Sequence, residues 1–268
     1  MTRFRLGFIA WLALATSAVH ATDVYIVIGQ SNGWRLSSVS GVPSDSPNGK
    51  VIYFGMGCTT RPDQAKMQKI DSIHPSCQGR RLAEGLVKHS GGDIILVQYC
   101  VCGTSLYAKE NWYPGDAPHS GKVNDAGLFA SFQKYLADAR RQAEAAGHTW
   151  NIKGIFWHQG ESDANTHAAE YEKNFRHLVS RLRKEVKADV PIVAGHIRPL
   201  SDAARKVNQA LDAVAADDPL LVTVPSADIT AETPTDVHFN TEGCHEFGRQ
   251  LAAAYVAMVK KKGEPLPK

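Results

Sequence analysis

The chain has 268 residues, of which 43% are hydrophobic and 21% charged, and its formal net charge is +3 at pH 7. This composition is typical of a globular protein with a sizeable core, and it excludes intrinsic disorder and a coiled coil. The small net charge does not indicate a nucleic-acid partner.

The first 21 residues differ from the rest of the chain. Arg3 and Arg5 precede a short apolar run, and the stretch closes on small or apolar residues up to Ala21. This pattern predicts a secretory signal peptide over residues 1–21, because the run is too short to span a membrane. We therefore expect an exported protein, periplasmic or extracellular, with one domain over residues 22–268 and no membrane segment in its mature form.

The first strand of the mature chain is predicted over residues 24–28, five apolar residues that give way at once to small polar ones. Ser31 lies just after it. A serine at the carboxyl end of a central strand of an α/β sheet lies where ligands bind, and Gly29 and Gly33 allow tight backbone there. Ser31 is thus a candidate nucleophile. The alternative is a serine that only caps the next helix.

Strand-like and helix-like patterns then alternate. Strands are expected at about 50–55, 93–101, 154–157, 191–197 and 220–224, and helices at about 78–89, 127–146, 165–186, 201–216 and 241–260. Alternation with strands apolar on both faces predicts an α/β fold with a parallel sheet covered on both sides. The stretches without periodicity, residues 34–49, 56–76 and 103–125, follow strands, and we expect them to carry the site.

The cysteines favour a disulfide rather than a metal site. The five are Cys58, Cys77, Cys100, Cys102 and Cys244. In an exported protein at least one disulfide is expected. The pair Cys58 and Cys77 flanks the loop after the second strand and is our favoured pairing, although spacing alone leaves the connectivity open. The spacing of Cys100 and Cys102 is not that of a CxxC zinc motif.

A base for Ser31 is found just before the last helix. Histidine is the side chain whose pKa suits removal of a serine proton near neutral pH, and a carboxylate must orient its ring. Asp236 and His238 lie two positions apart, so in extended backbone they point to the same side. The alternative is a surface histidine in a helix-capping region.

Polar residues also follow two other strands. Gln159 has a neutral N–H that can stabilise an oxyanion, whereas Glu161 is expected to orient Gln159 or a loop amide, or to perturb a neighbouring pKa. For Asp163 helix capping is the favoured role. Gly103 has no side chain to block a backbone N–H from an oxyanion, although a plain turn glycine is the alternative.

These motifs resemble a known family. GQSN at 29–32, Gly103-Thr104-Ser105 with Trp112 beyond it, HQGE at 158–161 and the pair Asp236 and His238 are similar to the SGNH-type carbohydrate esterases related to sialate O-acetylesterase and acetylxylan esterase. The resemblance implies a flavodoxin-like, three-layer α/β/α fold. It also implies a serine esterase, without a metal or other cofactor, that acts on acetylated carbohydrate.

Matching of motif positions implies a role for each residue. Ser31 would be the nucleophile, His238 the base and Asp236 the residue that orients it. The oxyanion would be bound by the backbone amides of Ser31 and Gly103 and by the side chain of Gln159.

Other residues are predicted to support the site or to contact substrate. Asn32 and Glu161 are expected to support it, and Trp112 and His158 are candidate substrate contacts. Aromatic faces stack on sugars, so some of the residues near the rim loops are candidates for a glycan platform, although packing is the commoner role of each. The rim residues are Trp34, Trp112, Tyr113, Trp157, His119 and Arg198.

Two features depart from the family pattern. Many members place the aspartate three residues before the histidine, whereas here the spacing is two, which leaves Asp228 or Glu232 as substitutes for Asp236. Cys102 stands where a second glycine often precedes Gly103, and its side chain is expected to change the pocket wall.

Two other functions remain open. A lipase or thioesterase would use the same chemistry on a non-sugar ester, in a wide apolar groove. A catalytically silent glycan-binding module would fit the aromatic residues but not the full set of serine, histidine and donors.

Overall fold

A computed structural model of the chain describes residues 22–39, 50–58, 67–70, 73–74, 76–107, 112–114 and 127–263. The predicted signal peptide, His119 and much of the three aperiodic stretches lie outside these residues. Within the described ranges, no helix combines the length and apolarity needed to cross a membrane.

Within the residues that the structure describes, seven strands form one sheet. They are β1 (Asp23–Gly29), β2 (Val51–Phe54), β3 (Met67–Ile70), β4 (Ile94–Cys100), β5 (Asn151–His158), β6 (Ile192–Gly195) and β7 (Leu221–Val224). Their order in space is β3-β2-β4-β1-β5-β6-β7, so the first strand of the chain lies at the centre. All neighbours are parallel except β2 and β3, which pair antiparallel. The short edge strand β3 lies in a stretch where the sequence predicts no regular element.

Seven helices connect the strands in the described residues. They are α1 (Ser31–Ser37), α2 (Arg80–Ser90), α3 (Gly127–Ala145), α4 (Glu161–Ala164), α5 (Tyr171–Val186), α6 (Asp202–Ala216) and α7 (Thr241–Gly263). Residues at the helix ends explain where two of these helices begin or end. The chain leaves α2 through Gly91 in the left-handed region at φ +73°, and the Ser201 side chain caps α6 by accepting from the Ala204 N–H. The short helices α1 and α4 are absent from the sequence prediction.

The predicted three-layer α/β/α fold is confirmed. Successive side chains of β1 point to opposite faces, so Ile26 and Ile28 pack with α3, α5 and α6, whereas Tyr25 and Val27 pack with α1, α2 and α7. The helical aromatics predicted for the core are buried there: Phe132, Tyr135, Tyr171 and Phe175. Full burial of each such ring contributes about 1.5–3 kcal/mol.

The register of the central strands sets where the site lies. Gly29 at the end of β1 pairs with Cys100 of β4 on one side and with His158 of β5 on the other. These three strands therefore end at the same level. The loops that follow them bring Ser31, Gly103 and Gln159 to one edge of the sheet.

Candidate active site

Ser31 is the first residue of α1 and directly follows the turn out of β1. The turn depends on Gly29, which has φ +143° and whose missing Cβ would lie 2.0 Å from the His158 carbonyl oxygen. No larger residue fits there. The helix-cap alternative fails, because Gln30 occupies the N-cap position and no side chain caps the helix. The Ser31 hydroxyl is instead 3.0 Å from Nε2 of His238.

His238 reaches Ser31 from a loop between β7 and α7. Oδ1 of Asp236 lies 3.4 Å from Nδ1 of His238 and accepts a hydrogen bond from the His238 backbone N–H at 2.8 Å. That backbone bond, more than the nearby charges, holds the pKa of Asp236 below its usual value. The structure thus brings the serine, the histidine and this aspartate together, and Asp236, rather than either substitute, is the carboxylate beside the ring.

Asn32 links Ser31 to the histidine loop. Its Nδ2 donates to the Val237 carbonyl at 2.9 Å and to Oε1 of Glu161 at 2.7 Å, and its Oδ1 accepts from the Phe239 N–H at 3.2 Å. The side chain is fully buried. The predicted supporting residues Asn32 and Glu161 therefore contact each other directly.

Glu161 begins α4 and lines the pocket beside Ser31. Its side chain is only 9% exposed, and burial raises the pKa of its carboxyl. Its contact is with Asn32 and not with Gln159, so the expectation that it orients Gln159 is wrong.

Gly103 presents its backbone to the pocket. It is exposed, its φ is +70°, and a Cβ placed on it would meet no atom within 4 Å. The conformation suits glycine, and the space in front of it is open to a ligand. The adjacent Cys102 also lines the pocket.

Gln159 does not face the pocket as an oxyanion donor must. Its Nε2 donates to Oδ2 of Asp163 at 2.6 Å, to the Thr104 carbonyl at 2.9 Å and to Oε1 of Gln30 at 3.1 Å, and the residue has no exposed surface. Both amide hydrogens are therefore committed inside the protein. This placement contradicts the oxyanion role predicted for Gln159.

The capping role predicted for Asp163 is also wrong. Instead of capping a helix it lies inside α4, fully buried, where it accepts from the Leu106 N–H at 2.8 Å and from Gln159. Burial raises the pKa of its carboxyl. Through these bonds Asp163 fixes the loop that carries Gly103. The only signal in the sequence is its spacing of four from Gln159.

The two candidate substrate contacts are both interior. Trp112 is fully buried and donates its indole N–H to the Gly29 carbonyl at 3.1 Å. His158 is 2% exposed, packs edge-on against Phe239 and Phe247, and has its pKa lowered by burial to about 4. Neither lines the pocket, so these two predictions are wrong, because both side chains are buried in the interior instead.

A disulfide joins Cys58, after β2, to Cys102, after β4, with their Cα atoms 5.3 Å apart. The favoured pairing with Cys77 is therefore wrong. Cys77 is a free thiol whose Sγ contacts the Ser38 carbonyl. Both half-cystines line the pocket, so Cys102 does change its wall as expected.

The pocket has a volume of about 500 Å³. Trp34 and Arg35 of α1 line it together with Ser31, His238 and the exposed Val237. Sequence reasoning named Trp34 as a rim aromatic but missed Arg35. Among the described residues, no group of three or more His, Cys, Asp or Glu side chains could hold a metal ion.

Arg198, another predicted rim residue, holds the loop before His238. Its guanidinium donates to the carbonyl oxygens of Thr233, Pro234 and Asp236. It acts on the backbone of this loop, and the described residues give it no place in the pocket lining.

A mostly parallel sheet between two layers of helices thus carries a serine–histidine pair at its strand ends, and the family match identifies the chain as a carboxylic ester hydrolase. More particularly, the chain belongs to the family described as "Carbohydrate esterase, sialic acid-specific acetylesterase", whose model matches residues 21–257. The predicted family membership is thereby confirmed. None of the curated proteins matches this sequence.

Solved structures share the fold at low identity. A protein from Arabidopsis thaliana is 18% identical over 89% of this chain and 99% of that chain, with a TM-score of 0.64. NanS is 15% identical over 90% and 98%, with a TM-score of 0.56. A family two carbohydrate esterase from Cellvibrio japonicus is 14% identical over 89% and 62%, with a TM-score of 0.50.

Proposed function

We propose that this protein is an exported serine esterase that removes O-acetyl groups from a carbohydrate through a covalent acetyl-enzyme. The observation that carries the proposal is the 3.0 Å contact between Ser31 Oγ and His238 Nε2 at the edge of an open pocket. A serine becomes a competent nucleophile when a base lies within hydrogen-bond reach and is itself oriented by a third group.

In the acylation step, His238 removes the proton of Ser31 while Oγ bonds to the acetyl carbonyl carbon. The backbone N–H groups of Ser31 and Gly103 bind the resulting oxyanion, each typically contributing about 10²–10³ in rate. The bond to the sugar oxygen then breaks, and His238 gives its proton to that oxygen. Water, activated by His238, next attacks the acetyl-serine, and acetate leaves. Asp236 keeps the ring oriented throughout.

The position of Arg35 in the pocket lining favours a substrate that carries a carboxylate. It is the one arginine or lysine among the described residues that line the pocket. The hydrogen bond that its guanidinium makes within the described part of the chain is a long 3.4 Å contact to the Phe239 carbonyl, which leaves further N–H donors for a ligand. Guanidinium groups bind carboxylates bidentately. An O-acetylated acidic sugar, such as a sialic acid, fits this charge better than a neutral xylan.

The disulfide supports export. Disulfides form and persist in oxidising compartments such as the periplasm, and this one joins two residues of the pocket wall. Together with the apolar, arginine-led stretch at residues 1–21, it agrees with a protein that works outside the cytoplasm.

The test is acetate release from a panel of acetylated xylan, xyloglucan, pectin and sialic acid. We expect turnover by the wild type and a loss of at least about 10³-fold for Ser31→Ala. An aryl ester series from acetyl to octanoyl belongs in the same experiment. Retained activity in Ser31→Ala contradicts the mechanism, and rates that rise with acyl length favour a lipase instead.

Arg35→Gln tests the substrate class. A charge-assisted hydrogen bond contributes about 1.5–3 kcal/mol, so we expect KM for acetylated sialic acid to rise about 10–100-fold while hydrolysis of an acetylated xylo-oligosaccharide stays within a few-fold. Equal losses on both substrates would show that Arg35 acts on the protein, through Asp236, rather than on a substrate carboxylate.

A further inference from the structure

Asn32 is a buried polar side chain that joins three separate segments of the site. Both of its amide hydrogens are donated, and its oxygen accepts one bond, with no exposed surface. It follows Ser31 directly in the chain. Its three partners lie in β5–α4 and in the loop before α7, more than a hundred residues away.

The partners of Asn32 in the histidine loop are not arbitrary. The Val237 carbonyl and the Phe239 N–H belong to the two residues that flank His238. Fixing the backbone on both sides of a residue fixes the origin and direction of its side chain. The distance from Ser31 to the His238 ring therefore depends on a side chain that is buried and lies outside the described pocket lining.

Glu161 acts together with the two groups that flank His238 to determine which way the Asn32 amide points. A carboxylate only accepts hydrogen bonds, so Oε1 of Glu161 selects the orientation with Nδ2 towards it, at 2.7 Å. In the reversed orientation the Asn32 oxygen would face both the Glu161 carboxylate and the Val237 carbonyl. The Phe239 N–H would then face an N–H donor. Glu161 thus makes one amide orientation strongly preferred.

We propose that Asn32 is the positioning residue of the base: oriented by Glu161, its amide clamps the peptide groups on both sides of His238 and thereby sets the Ser31–His238 hydrogen bond. This inference rests on the proposed function, because it assumes that these two residues do the chemistry. It assigns Asn32 and Glu161 a role in geometry, and neither acts as an acid, a base or an oxyanion donor.

The test compares Asn32→Ala, Asn32→Asp, Glu161→Gln and Glu161→Ala on an aryl acetate. A displacement of about 1 Å in a catalytic group costs about 10²-fold, so we expect Asn32→Ala and Asn32→Asp to lower kcat about 10²-fold with KM within about 3-fold. Glu161→Gln keeps an acceptor for Nδ2 and should retain kcat within about 3-fold. Glu161→Ala should lose about 10-fold.

A pH profile separates positioning from general loosening. With the base out of reach, the residual rate of Asn32→Ala should rise with hydroxide concentration across the pH range instead of levelling off. Asn208→Ala is the matched control. Asn208 is also a buried amide that clamps backbone, bonding the N–H and carbonyl of Ile197, so its loss should lower Tm without the 10²-fold loss in kcat.

Three results would overturn the inference. They are retained kcat in Asn32→Ala, an equal loss in Asn208→Ala, or a pH profile of unchanged shape in Asn32→Ala. The proposed function fails separately, when Ser31→Ala keeps wild-type activity. If Ser31→Ala is inactive while Asn32→Ala keeps the wild-type kcat, the proposed function stands and only the positioning role of Asn32 is contradicted.

Discussion

The polar side chains of the site form two sets that differ in burial. Those of the inner set are at most 3% exposed and are bound to one another or to backbone: Gln30, Asn32, Gln159 and Asp163. Those of the outer set face the pocket or solvent and include His238, 36% exposed, and Asp236, 32% exposed. Ser31 and Arg35 belong to the outer set.

This difference indicates a division of labour. A buried polar group is costly unless its hydrogen bonds are satisfied, so a satisfied buried network holds one geometry. Half-exposed groups can exchange partners with substrate and water. The inner set therefore fixes the loops, and the outer set is left to carry the proposed chemistry.

Asp163→Ala should break the inner set most severely. It leaves the Leu106 N–H without its carboxylate acceptor in a buried site, at about 1–3 kcal/mol, and it removes the shortest of the three hydrogen bonds that Gln159 donates. We expect the free energy of unfolding to fall by about 2–4 kcal/mol and esterase activity to fall at least about 10-fold. Urea unfolding and aryl acetate hydrolysis measure the two.

The matched control is Asp138→Ala, which removes an exposed carboxylate paired with Arg141 on α3. Exposed pairs contribute roughly 0–1 kcal/mol, so stability and activity should barely change. If Asp163→Ala behaved like this control, the inner set would not be what holds the Gly103 loop.

His158 should make the inner region sensitive to acid. Burial lowers its pKa from an ordinary 6.5 to about 4, so between these values the unfolded chain binds a proton that the folded one does not. Stability from this residue is complete above pH 6.5 and is lost as the pH falls towards 4, by roughly 3 kcal/mol. Urea unfolding at several pH values, followed by tryptophan fluorescence, measures the slope.

His158→Leu provides the comparison. Glu161 has the opposite effect on the pH dependence of stability, because its raised pKa stabilises the folded state as the pH falls. The quantity to compare is therefore the difference in the free energy of unfolding between wild type and variant at each pH. We expect the variant to lose less stability between pH 6.5 and 4. Parallel curves for the two proteins would mean that His158 is charged in the folded state.

Asp236→Asn should affect the outer set alone. The amide oxygen still accepts from the His238 N–H, but the negative charge beside Nδ1 is lost. For a buried triad aspartate the same change costs about 10⁴-fold, whereas here solvent screens the charge, so we expect about 10–100-fold in kcat with Tm unchanged.

The pH dependence of that ratio is a second measurement. The pKa of Asp236 is lowered from 3.8, so its carboxylate remains ionised from pH 5 to 8 and the wild type should stay faster than the variant throughout that range. The advantage of the wild type should disappear only as the pH falls below 3.8, where Asp236 becomes protonated. Equal rates for the two proteins between pH 5 and 8 would indicate that another group orients the ring.

Much of the fold was predictable because periodicity reports burial. The spacing of Tyr171, Phe175 and Leu178 indicated the buried face of α5, and the apolar run of β4 indicated a strand covered on both faces. The edge strand β3 was not predictable, since its order comes from antiparallel pairing with β2 and not from a pattern of its own.

The arrangement of the site was predictable where its residues are close in sequence to one another or to a recognisable strand. Asp236 and His238 are neighbours in sequence, and Ser31 follows a recognisable strand. The direction of a polar side chain at a strand end was not predictable. Gln159 points inwards to Asp163 while Ser31 points outwards, and nothing in the sequence distinguishes the two.

The predicted cysteine pairing was wrong for a related reason. Cysteine spacing carries no information about strand order, but β2 and β4 are parallel neighbours with Phe54 opposite Val97. Cys58 follows Phe54, and Cys100 and Cys102 follow Val97, by nearly equal steps, so the strand order would have placed Cys58 beside this pair of cysteines rather than beside Cys77.

The central place of β1 has a consequence for how the protein is made. β1 is the first strand to be synthesised, yet it pairs only with β4 and β5, and the bond between Gln30 and Gln159 joins residues 129 positions apart. At about 5–20 residues per second, an apolar strand waits of the order of ten seconds without partners. A chain with this topology benefits from staying unfolded until β4 and β5 have been synthesised, because β1 has no strand to pair with before then.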